Sequence, residues 1–171
     1  MKIYKNEIIG VLIGFISIFL FSSFLTYNPI DSPGGLSDQI ANNNIMGILG
    51  VYASYYLMKY TLGWAAFCFP LTLGLCSYIV FTRKNYNNYI SYIIYLLCFS
   101  LWLSIMISFW GIVAKAWWEA EYGGIIGYVM ANFLIDMIGI YSFILIMFIY
   151  IVLLASSFLN VSLYEKIHYL K

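Results

Sequence analysis

Of 171 residues, 64% are hydrophobic and only 9% charged, with a net charge of +1, against roughly half apolar and a quarter charged in an ordinary soluble domain. That balance excludes a water-soluble globular domain and a broad basic surface for nucleic acid or anionic substrates, so charge can act only through its placement. Cys68, Cys76 and Cys98 lie in apolar runs without a CxxC pair, and His168 stands alone near the C-terminus, so neither a metal site nor a disulfide framework is expected.

A bilayer core about 30 Å thick needs roughly 20 helical residues, because backbone groups in lipid must be satisfied within the segment. Residues 8–27 are the first such run, preceded by Lys2 and Lys5. The run is longer than the apolar region of a secretory signal and Ser22-Ser23-Phe24 is a poor cleavage site, so a retained anchor helix is expected. The loop at 28–44 carries Asn28-Pro29, Asp31, Pro33-Gly34-Gly35 and Asn42-Asn43-Asn44. Those residues favour turns, and the loop's length makes it a candidate contact surface. Residues 45–61 form a short helix led by Gly47-Ile48-Leu49-Gly50, with Tyr52, Tyr56 and Tyr60 on one face beside Lys59.

The second and third spans, 62–81 and 89–113, are joined by a turn holding Arg83 and Lys84. Trp102, Trp110, Trp117 and Trp118, with Tyr86 and Tyr89, are expected as anchors near the headgroups, where amphipathic rings are favoured. Glu119 and Glu121 beside Trp117 and Trp118 would allow acid and base work in an external pocket, but solvated carboxylates at a membrane edge need no such role. Residues 124–138 form a second short helix led by Gly124-Ile125-Ile126-Gly127, with Tyr128, Asn132 and Asp136 on one face. The fourth span, 139–159, is followed by Lys166 and Lys171.

Six of the eight basic residues fall on one side of these four spans; Lys59 and Lys115 lie on the other, with Asp31, Asp38, Glu119, Glu121 and Asp136. The positive-inside rule then puts both termini in the cytoplasm. A shift of 77 positions aligns Gly47, Gly50 and Leu57 with Gly124, Gly127 and Leu134, and after a one-residue gap Gly63 meets Gly139. Each copy reads as a span, an external loop, a short GxxG-led helix, a glycine and a second span, so the copies are parallel repeats about an axis along the membrane normal. The expected fold is all-α: four transmembrane helices in one membrane domain, with two short helices that lie on the membrane or re-enter it. Gly47, Gly50, Gly63, Gly124, Gly127 and Gly139 are the expected packing positions. Lys59 and Asp136 occupy equivalent places with opposite charge; they pair across the pseudo-symmetry axis or snorkel separately to the interface.

No GxxxxGK[ST], HExxH, GxSxG or GxGxxG is present, so nothing cradles nucleotide phosphates and no catalytic machinery is expected in this chain. Glu7-Ile8-Ile9-Gly10, then Leu25-Thr26-Tyr27-Asn28-Pro29-Ile30-Asp31, resembles the start of the four-helix membrane domain of FtsK/SpoIIIE-type DNA translocases. Asn44 to Gly50, residues 63–70, the Arg83 turn, Gly123 to Gly127 and residues 159–166 are similar to that domain's later landmarks. The resemblance implies a bacterial inner-membrane domain that anchors and assembles a hexameric, ATP-driven DNA pump at the division septum, coupling chromosome segregation to septation. It implies no catalytic or cofactor-binding residues here. ATP and Mg, and contact with DNA, belong to a motor domain that follows the membrane domain in that family. Its external loops are expected to meet other divisome proteins, with Asp31 and Glu119 as the contact candidates. The competing readings are a small inner-membrane transporter or channel subunit and a membrane-embedded enzyme.

Overall fold

The structure, a computed structural model, describes residues 2–28, 44–115 and 119–159. Among these residues every regular element is helical. They are α1 (Lys2–Leu25), α2 (Gly47–Ser54), a π-helical stretch (Tyr55–Leu62), a 3₁₀ turn (Gly63–Phe67), α3 (Cys68–Thr82), α4 (Asn87–Ala114), α5 (Glu119–Ile138) and α6 (Ile140–Phe158).

Four helical runs are long and apolar enough to cross a membrane: Tyr4–Leu25, Gly47–Thr82, Tyr89–Ala114 and Ile140–Phe158. Their outer faces carry large apolar side chains, among them Phe15, Ile18, Leu145 and Phe148, a pattern tolerable only where the solvent is hydrocarbon. The chain is an all-α, multi-pass membrane protein. The second run, 36 residues long, would be about 54 Å as one straight helix, well beyond a bilayer core. It is instead kinked where the second span was expected to begin: Thr61 leaves helical geometry (φ −115°, ψ −106°) and Gly63 sits at φ 61°, ψ −131°. The Thr61 hydroxyl turns back to the Leu57 carbonyl, satisfying an acceptor at the kink.

Lipid tails are as apolar as leucine, so helix association in a bilayer relies on close backbone approach and hydrogen bonds rather than the hydrophobic effect. α1 and α3 meet along two matching rows of small residues. Gly10, Gly14 and Ser17 face Pro70, Gly74, Ser77 and Phe81. Ser17 Oγ donates to the Pro70 carbonyl (2.7 Å) and Ser77 Oγ to the Gly10 carbonyl (2.7 Å). A Cβ at Gly10 would fall 2.9 Å from the Phe81 backbone nitrogen.

The 83–86 turn reverses the chain into α4, and α6 then runs antiparallel to α4. Phe109 stacks on Phe143 (4.5 Å), Trp102 Nε1 donates to the Met147 carbonyl (3.0 Å), Tyr150 donates to the Cys98 carbonyl (3.1 Å), and the Tyr95 and Ser157 hydroxyls meet at 2.8 Å. Trp102 was expected as a headgroup anchor. It instead lies in the middle of α4, where a half-buried indole N–H needs an acceptor and finds one on the neighbouring helix. Trp110 is exposed, while Trp117 and Trp118 lie outside the described residues. The start of α1, the 83–86 turn and the end of α6 share one side, as shown by the Glu7–Arg83 ion pair (2.6 Å) and the Tyr92–Phe158 ring contact. In the same turn Lys84 Nζ donates to the Tyr78 hydroxyl (2.7 Å) and lies over the Tyr78 ring; that hydrogen bond, with a second to the Tyr89 hydroxyl, raises its pKa above the usual lysine value.

If the α1–α3 seam holds these helices together, Gly10→Leu should lower the melting temperature in detergent by several degrees, because a branched side chain meets backbone rather than a movable side chain. Ile16→Leu, on the exposed face of the same helix, should leave it unchanged. Circular dichroism melts of both variants make the comparison.

Candidate functional site: the joint between the repeats

Four glycines among the described residues have positive φ: Gly47 (65°), Gly63 (61°), Gly124 (73°) and Gly139 (78°). They are the two pairs related by the sequence duplication, Gly47 with Gly124 and Gly63 with Gly139. The repeat is therefore one of positive φ as well as of residue type, while ψ differs between the two closing hinges, −131° at Gly63 and 162° at Gly139. Each copy has one hinge where its short helix begins and one where that helix hands over to the following span. At Gly124 and Gly139 ψ is 163° and 162°, a region essentially reserved for glycine.

Two of the four hinges touch. A Cβ on Gly63 would overlap the Tyr122 carbonyl, and one on Gly124 would overlap the Gly63 nitrogen and the Thr61 carbonyl. The closing hinge of copy one thus lies backbone to backbone against the opening hinge of copy two. Trp64 meets the Tyr122 ring edge-on at 6.0 Å, and Lys59 Nζ stands 3.8 Å from Glu121 Oε1. That ion pair is about a quarter exposed at each end, and pairs of this kind contribute about 0.2–1 kcal/mol. Beneath the joint, Phe24, Met58, Leu62, Ala65, Ala66 and Cys68 form a buried cluster.

α5 is pinned to α4 by a serine row. Ser100, Ser104 and Ser108 are buried one turn apart; Ser104 Oγ donates to the Gly123 carbonyl (2.6 Å), and Cβ atoms at Gly123 and Gly127 would overlap Ser108 Oγ and Ser104 Oγ. Gly127 lies beside Ser104, yet Phe143, about 24 Å further along a helical path, stacks only five residues higher on α4, at Phe109. α5 therefore runs across the bundle after Gly124 rather than along α4. In copy one, Ser23 Oγ donates to the Gly50 carbonyl (2.6 Å). Asn44, buried, donates to the Ser23 carbonyl (3.0 Å) and accepts from the Met46 amide (3.0 Å), tying the start of α2 to α1.

Of the glycines singled out from the sequence, Gly50, Gly63, Gly124 and Gly127 sit in close contacts, whereas Gly47 and Gly139 have no described atom within 4 Å of a would-be Cβ. The pairing of Lys59 with Asp136 does not form. Lys59 faces Glu121, because copy one meets the beginning of copy two rather than its equivalent position, and Asp136 is exposed. Tyr52, Tyr56 and Tyr60 do share a face, with neighbouring rings stacked at 6.3 and 5.7 Å. Asn132 donates to the Tyr128 carbonyl (3.1 Å). Asp31 lies outside the described residues, and of Glu119 only the backbone is described, as the first residue of α5. The sequence reading assigned no packing role to Gly10, Gly14, Gly74 and Gly123 or to the serines opposite them. A Gly10-x-x-x-Gly14 pattern was legible; its partner row was not. Among the described residues no three His, Cys, Asp or Glu side chains are grouped to hold a metal.

The hinges separate two kinds of glycine. Gly47→Ala and Gly139→Ala should carry only the cost of positive φ, about 1–3 kcal/mol. Gly63→Ala and Gly124→Ala add a backbone collision, about 1–3 kcal/mol more. Thermal unfolding of the four variants in one detergent should show the larger loss at Gly63 and Gly124; equal losses at all four would contradict the joint.

A family model described as the 4TM region of DNA translocase FtsK/SpoIIIE matches residues 3–170. The DNA translocase FtsK of Pseudomonas aeruginosa is 38% identical over 79 residues, covering 44% of this chain and 10% of that protein. The chain thus spans about a tenth of that relative's length. No solved structure matches. With the family model running through all four apolar helices and both hinged segments, the chain belongs to the family of 4TM regions of the DNA translocases FtsK and SpoIIIE.

Proposed function

We propose that this chain is the membrane anchor and assembly domain of a bacterial cell-division DNA translocase, one that couples chromosome segregation to septation. The observation that carries the reading is the match of the whole bundle to the membrane region of such a translocase. The chain's own residues bind no cofactor and catalyse nothing; ATP, Mg and DNA are handled by a motor domain. Its external loops, Asp31 and Glu119 among them, meet other divisome proteins, and the chain self-associates, as a hexamer by family resemblance.

Placement of charge supports an orientation in the inner membrane with both termini in the cytoplasm. Lys5, Arg83 and Lys84 belong to the side shared by the start of α1, the 83–86 turn and the end of α6, while Lys115 and Glu121 belong to the other. The buried polar groups argue against the transporter or channel reading. A substrate path would gather free polar or ionisable groups in the bundle, whereas Ser17, Ser23, Ser54, Ser100 and Ser104 each donate to a backbone carbonyl and, among the described buried serines, Ser108 alone lacks a partner.

A fluorescent protein fused after Lys171, expressed in a dividing rod-shaped bacterium, tests localisation and orientation together. A fluorescent band at midcell is expected. Even labelling of the whole membrane would contradict the septal role, and full-length but dark fusion protein would contradict a cytoplasmic C-terminus.

A further inference from the structure

The joint between the repeats is head to tail. The closing hinge of copy one, Gly63, contacts the opening hinge of copy two, Gly124. A closed two-fold arrangement would also bring Gly139, the closing hinge of copy two, against Gly47, the opening hinge of copy one. It does not: no described atom lies within 4 Å of a Cβ at either residue. Among the described residues the chain therefore holds one completed joint and the two open halves of another.

Burial follows the same asymmetry except at Trp64 (53% exposed) and its counterpart Ile140 (46%), which are alike. Gly63, Ala65 (4% exposed) and Ala66 (0%) are covered at the internal joint, while their counterparts Gly139, Tyr141 (90%) and Ser142 are exposed. On the opposite half, Tyr122 is partly covered, whereas its counterpart Ile45 is 74% exposed. Equivalent hinges, all glycines at positive φ, thus differ in whether the other half of the joint is present.

We propose that a second copy of this chain supplies the missing half, with the Gly139 hinge of one chain docking on the Gly47 hinge of the next. The contact deepens the self-association put forward above and rests on that reading, but its geometry comes from the duplication alone. Because the two faces differ, the interface is heterologous and propagates; it gives a ring if the rotation closes and an open array if it does not. Tyr141 stands where Ala65 stands in the internal joint, so the contact between chains is a wider variant of the one within a chain. Lipid is the competing occupant of both faces.

The test is disulfide cross-linking in membranes, in the chain with Cys68, Cys76 and Cys98 replaced by Ala. Trp64 and Tyr122 touch at the internal joint; their counterparts across the open joint are Ile140 and Ile45. Trp64→Cys with Tyr122→Cys should close within one chain, giving a monomer of altered mobility and showing that the fold is intact. Ile45→Cys with Ile140→Cys should convert most of the chain into a ladder of dimers and larger species. Each single variant alone should stay monomeric, and a mixture of the two should stop at dimers. The proposal is overturned if the Ile45/Ile140 variant stays monomeric while the internal control closes, or if either single variant dimerises with itself. Mass photometry of the chain in lipid nanodiscs separates the two failures: oligomers without this cross-link leave self-association standing, and monomers remove both.

Discussion

Backbone-to-backbone contact at the glycine hinges is the constraint on which the rest of the bundle depends. In a bilayer the faces of these helices gain nothing by leaving lipid for one another, so cohesion needs surfaces that approach more closely than lipid can. Gly63 against Gly124, Gly10 against Phe81 and Gly127 against Ser104 are such surfaces. Serine hydroxyls add directional bonds to carbonyls on neighbouring helices, at Ser17, Ser23, Ser77 and Ser104. Each such interhelical bond contributes about 0.6 kcal/mol on average in membrane proteins, so the bonds fix register more than they supply stability.

These contacts divide the work between two levels of the bundle. α1 packs on α3 and α4 packs on α6 as antiparallel pairs that cross the membrane, and the 83–86 turn links the pairs on one side. On the other side the pairs are joined by the hinged segments, where the π-helical stretch meets α5 around Gly63 and Gly124. Positive φ at these glycines lets each short helix change direction without exposing backbone groups to lipid, since the chain on either side resumes helical bonding at once.

Much of this was legible in the sequence, and the rest was not for identifiable reasons. Apolar runs of about 20 residues located the spans, because length and hydropathy are the only requirements lipid imposes. The glycines at 47, 63, 124 and 139 were expected as packing positions; all four are hinges at positive φ, where glycine alone is comfortable, and of the four only Gly63 and Gly124 also pack closely. Equal positions in the two repeats left Lys59 and Asp136 either to pair or to snorkel separately; a head-to-tail joint instead sets Lys59 against Glu121. Gly10 and Gly14, four residues apart, were passed over, and their partner row at Pro70, Gly74 and Ser77 depends on helix register, which hydropathy does not encode. Nor does hydropathy distinguish α-helix from the π-helical winding at Tyr55–Leu62, which local contacts decide.

At the head-to-tail joint the Thr61 carbonyl and the Gly63 nitrogen lie against Gly124, which sets Tyr60, just before the kink, and Ile125, just after the Gly124 hinge, one residue to either side of that contact. Spin labels at Tyr60→Cys and Ile125→Cys, in the chain with its three native cysteines replaced by Ala and reconstituted in lipid, report on that proximity. Strong dipolar broadening is expected, and it should persist when labelled chains are diluted with unlabelled ones, since the contact lies within one chain. Spectra no broader than the sum of the two singly labelled chains would contradict the joint.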